Sequence, residues 1–145
     1  MDQIATPHPD LIAIAPMDQG PRMVLFAVRR MAVFGINDAH VANALLGAFG
    51  RSYRRPLILL RAMMLELARS SQRSITVAPC CCPRLTQDEN RLMHALGTAN
   101  VDTRVAHTTL TEMLDSAEAL GPLTCAQAVA QSFGDLGQPL TFRST

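Results

Sequence analysis

The chain has 145 residues, no tryptophan, 48% hydrophobic and 17% charged residues, and a net charge of +1. A chain of that length can bury about two thirds of its unfolded surface, so neither disulfide nor metal is required for it to fold. Only 4% of the residues are aromatic, which argues against a β-sandwich and for close packing of helices rich in Ala, Leu, Val and Met.

Every one of the thirteen basic residues is arginine, as a GC-rich genome would encode. The charge is uneven: residues 22–84 hold ten arginines against Asp38 and Glu66, whereas residues 85–145 hold three against seven acids. A dipole of this kind normally neutralises itself within the fold, so it gives little reason to expect nucleic acid or a membrane as partner. The opening MDQIATPHPD is acidic and proline-punctuated, unlike a signal peptide. The apolar runs Met23 to Val28 and Leu57 to Leu60 are far short of the ~20 residues that span a bilayer. The cytosol is the expected compartment, where cysteines stay reduced.

Residues 1–20, with Pro7, Pro9 and Pro16, read as an extended arm, with Leu11 to Ala15 laid against a single helical domain over residues 21–145. A first helix is expected from Pro21 to Phe34, before Gly35. Asn37 or Asp38 caps a second, closed by Gly50. After the segment RSYRR a third helix runs from about Pro56 to Ser70. Leu57, Leu59, Leu60, Met63, Met64 and Leu67 cover about half its circumference, as in the central helix of a bundle. Thr86 and Glu89 form a capping box for a fourth helix ending before Gly97. Thr109 with Glu112 and Thr124 with Gln127 suggest boxes for a fifth and a sixth, with Gly121-Pro122 as the stop between them. The expected class is all-α, a bundle of about six helices. The competing reading takes Leu11–Ala15, Ile75–Ala78 and Arg104–Ala106 as short parallel strands in an α/β fold.

Between the third and fourth helices lies PCCCPRLTQDE, Pro79 to Glu89. Thiolates bind zinc or cuprous ions and act in redox chemistry. Arg73, Arg84 and the helix start at Thr86 are expected to acidify the thiols of Cys80, Cys81 and Cys82. Cys80 and Cys82 form the pair better placed to share a metal, Cys81 pointing elsewhere. A structural site would need further ligands from Cys125 or four histidines dispersed along the chain. The competing reading makes the thiols small buried hydrophobes in a turn stiffened by two prolines. Cys125, near a helix start, could be a fourth redox thiol, although it shares a face with Val129 and Leu136 as a core residue would.

RSYRR gathers Arg51, Tyr53, Arg54 and Arg55. It reads either as an anion or nucleic-acid contact with Tyr53 stacking, or as a solvated loop paired with Asp115 and Glu118. Arg29, Arg30 and Arg61, set in apolar helices, should pair with internal acids or snorkel to the rim. No phosphate loop, nucleophile elbow or catalytic carboxylate pair is present, so an enzyme is not indicated.

The stretches RRPLILLRAMMLE, from Arg54, and APCCCPRLTQDE, from Ala78, resemble a family of small uncharacterised alphaproteobacterial proteins, with Cys-Cys-Cys-Pro-Arg as the hallmark. The resemblance extends from about Met23 to Leu140; it implies a bacterial cytosolic origin and brings no activity or ligand. The functional expectation is a binding or regulatory module meeting a protein partner or a second copy of itself. The alternatives are a zinc, copper or redox site at Cys80 and Cys82, and a nucleic-acid contact at Arg51–Arg55.

Overall fold

The computed structural model describes residues 11–16 and 18–142, and the first ten residues of the expected arm lie outside that range. The fold is mostly helical. Strand β1 (Ala13–Ile14) is followed by α1 (Gln19–Phe34) and α2 (Ala39–Phe49), then by a 3-10 turn at Gly50–Tyr53 that leads directly into α3 (Arg54–Ser70). Strand β2 (Arg84–Leu85), α4 (Gln87–Thr98), α5 (Thr103–Leu114) and α6 (Leu120–Asp135) complete the order. No helix among the described residues is long and apolar enough to cross a membrane.

Several boundaries differ from the expectations for physical reasons. Proline is free to sit anywhere in a helix's first turn, because those N–H groups have no acceptor within the helix. Pro21 and Pro56 therefore occupy third helical positions, and Gly121-Pro122 opens α6 rather than ending α5. Asp102 caps α5 by accepting from Val105 N at 3.3 Å, seven residues before the expected Thr109 box. The hydroxyls of Thr109 and Thr124 donate instead to the carbonyls of Val105 and Leu120, at 2.8 and 2.9 Å. Of the expected boxes the one at Thr86 and Glu89 forms, in both directions.

The parallel-strand alternative fails on register. Ala13 pairs with Leu85 and Ile14 with Arg84, antiparallel, while Arg104–Ala106 is helical. Ile75–Ala78 forms no ladder because its donors go to side chains: Thr76 N reaches Asp88 Oδ2 at 2.8 Å and Ala78 N reaches Glu89 Oε2 at 3.0 Å.

The buried residues form one connected cluster. Leu57, Leu60, Met63 and Leu67 of α3 pack along α6, whose Phe133 meets Phe49 edge-on with ring centroids 5.4 Å apart. Val24, Leu25, Val28 and Met31 bind α1 into the same core, and α4 packs on α5. After α6 the chain returns across α1, where a side chain at Gly20 would strike the carbonyls of Gln138 and Pro139, and buries Leu140.

Candidate functional site

The cysteines sit on a β-turn in which Cys82 N donates to Pro79 O at 3.0 Å. Cys81 is exposed, and Cys80 and Cys82 are half-buried. One side chain, distant in sequence, organises this turn. Arg29 of α1, only 3% exposed, donates to Cys82 O and Arg84 O, each at 2.8 Å, and more weakly to Cys80 O at 3.5 Å. It also forks onto the Glu89 carboxylate at 2.7 and 3.0 Å. Glu89, 2% exposed, in turn accepts from Ala78 N and Thr86 N, each at 3.0 Å. Each charge is thus neutralised and hydrogen-bonded, the condition under which buried ions persist.

A second carboxylate closes the approach to the turn. Asp88 accepts a bidentate pair from Arg73 at 2.9 and 3.0 Å and a third bond from Thr76 N. Thr86 adds a hydroxyl bond to Thr76 O at 2.8 Å. The segment before the cysteines is therefore held by carboxylates and a hydroxyl where a sheet would have held it with backbone.

This arrangement reverses the expected electrostatics of the Cys80 thiol. Burial, reinforced by the neighbouring Cys81 thiol, pushes the Cys80 thiol above its ordinary value and outweighs the opposing pull of Arg30 and Arg29. The expected acidifiers are otherwise engaged: Arg73 is bound to Asp88, and Arg84 is exposed, contributing its carbonyl to Arg29. The start of α4 spends its Glu89 N–H on Thr86 Oγ1. Cys125 is also raised, by burial and then by the Glu66 carboxylate. Among the described residues no three His, Cys, Asp or Glu side chains are grouped to hold a metal. His40 is engaged by Arg30, whose Nη2 lies 2.9 Å from its Nδ1.

RSYRR is ordered helical structure, not a loop. Tyr53 is half-buried and packs against the core. Arg51, Arg54 and Arg55 line a pocket of about 380 Å³ shared with Ser132 and Asp135 at the end of α6. Arg55 lies 4.0 Å from Asp135, and neither Asp115 nor Glu118 pairs with this segment among the described residues.

Sequence reasoning gave no role to a third region. Between α3 and the start of α6 runs an open groove of about 490 Å³ lined by Ala62, Leu65, Glu66, Leu120, Gly121 and Cys125. Leu65 is 53% and Leu120 71% exposed, and Ile58, one helical turn before Ala62, is 59% exposed. Gly121 lies against the Glu66 carboxylate, which Arg69 also contacts, so a methyl there would displace that side chain.

The fold and these sites define a small helical domain with a clamped cysteine turn, an arginine-lined pocket and an open apolar groove. A family model described as a family of unknown function (DUF6628) matches residues 10–135, and the chain belongs to that family. No curated protein and no solved structure matches it.

Proposed function

We propose that the protein is a binding module that docks a protein partner on the apolar groove between α3 and α6, with the cysteine turn as a structural element. The observation that carries this reading is the exposure of Ile58, Leu65 and Leu120 around the groove. Ile58, Ala62 and Leu65 recur at helical spacing, i, i+4 and i+7, and so present one continuous edge to an apolar helix laid in the groove. Large apolar side chains gathered in one place, unlike ones scattered singly, mark interaction surfaces. We take the protein to be bacterial and cytosolic, and Cys-Cys-Cys-Pro-Arg to be the family hallmark, as the resemblance implies. On this reading the turn is structural, held by the bonds of Arg29 to its main chain.

A zinc, copper or redox site at Cys80 and Cys82 draws less support. Metal binding and nucleophilic chemistry both require thiolates, and burial favours the neutral thiol at Cys80.

A photo-cross-linking residue placed at position 65, with position 112 on α5 as control, tests the proposal in the source cell. One discrete adduct from position 65 alone is the expected result, and its mass tells a second copy of the chain from another protein. Identical adducts from both positions, or none from position 65, would refute it.

A further inference from the structure

The pocket between the start of α3 and the end of α6 holds charge with no use in the fold. Three arginines line it against one carboxylate, Asp135. Asp135 is already occupied on one oxygen by Gln131 Nε2 at 2.8 Å and lies 4.0 Å from Arg55 on the other. Arg51 and Arg54 have no carboxylate partner among the described residues. The N-terminal end of α3 and the C-terminal end of α6 meet here, so their partial charges oppose each other and the full charges of the arginines set the sign.

Ser132 supplies an independent observation. It is the one buried residue of the lining, 1% exposed, and its hydroxyl has no hydrogen-bond partner. A buried hydroxyl left unpaired lowers stability, and natural folds rarely keep one without a use. Ser132 belongs to the lining of a cavity shared with three arginines.

We propose that this pocket binds the phosphate group of a small phosphorylated ligand. Arg51 and Arg54 supply forked donors that match a phosphate bidentately, and Ser132 donates to a phosphate oxygen. Arg55 remains tethered toward Asp135, which sits at the rim where it can accept from a ligand hydroxyl. A cavity of about 380 Å³ suits a small molecule and not a polynucleotide strand. The site is separate from the groove between α3 and the start of α6, so it stands whether or not a partner docks there.

Calorimetric titration of the full chain with inorganic pyrophosphate at low salt tests the proposal. Saturable one-site binding that weakens as salt is added is expected. Affinity should fall by about tenfold or more in R51A/R54A, since each charge-assisted bond is lost outright. The Ser132→Ala variant is the discriminating one. It should bind pyrophosphate several-fold more weakly while its Tm rises, because the substitution removes an unpaired buried hydroxyl. Absence of saturable binding, or affinity unchanged in R51A/R54A, would overturn the proposal. So would tighter binding of a single-stranded RNA 20-mer than of pyrophosphate, which would assign the arginines to a strand.

Discussion

Arg29 and Glu89 decide how the cysteine turn is built. The guanidinium serves the Glu89 carboxylate and the carbonyls of Cys82 and Arg84 together, and the carboxylate serves two backbone donors in return. Removing one member leaves the other charged and buried, so Arg29→Met should cost about 3–5 kcal/mol in urea unfolding. The double variant R29M/E89Q should lose less than R29M alone, because no uncompensated charge remains. A cost below about 1 kcal/mol for R29M would mean that the pair is exposed to water in solution. The thiols make a second claim at this scale. Burial raises the Cys80 thiol above its ordinary value of 9.0, so its stabilising contribution is complete below that value and is lost as pH rises through the folded-state value. Alkylation of native Cys80 by iodoacetamide, followed by mass spectrometry across alkaline pH, should reach half its maximal rate at higher pH than in the unfolded chain. A shift to lower pH would restore the reactive-thiol reading. The sequence made part of this centre legible. Glu89 was visible as a capping residue, and Arg29 stood out as a charge in an apolar helix. Their meeting was not legible, because 60 residues separate them and no local pattern encodes a contact at that range.

Among the elements, the helices were the most readable feature and their starts the least. Apolar spacing at ~100° per residue identified α3, because that spacing reports the buried face directly, and the breakers and caps at Pro21, Gly35, Asp38, Gly50 and Thr86 marked α1, α2 and α4. Capping patterns misled wherever a Thr-x-x-Glu or Thr-x-x-Gln run lay inside a helix, where the threonine hydroxyl bonds its own helix instead. The caps can be told apart by mutation. Asp102→Ala should destabilise by about 1 kcal/mol in thermal or urea unfolding, whereas Thr109→Ala should be close to neutral. A larger loss at Thr109 than at Asp102 would place the start of α5 at the position the sequence pattern suggested. Ser74–Ala78 failed as a strand for a related reason. Its alternation was real, but Asp88 and Glu89 captured its donors before another strand could.

Across the whole molecule, part of the charge dipole of the sequence is spent on joining the two halves. Arg29 with Glu89, Arg73 with Asp88 and Arg55 with Asp135 each join the basic middle of the chain to its acidic end. This self-neutralisation leaves the Arg51–Arg54 pocket and the apolar groove as surfaces that the fold itself does not consume. The groove was not legible in the sequence because Ile58 and Leu65 fall on the arginine-bearing side of α3, outside its buried arc, and no local pattern shows that the start of α6 lies beside them. The account therefore rests on docking at this face, and cross-linking from position 65 in the L120E background tests it most directly. Because Leu120 is exposed, the substitution should leave the Tm within about 2 °C of the parent chain, while the adduct formed from position 65 should disappear. An adduct that survives L120E in a folded protein would contradict the proposed docking surface.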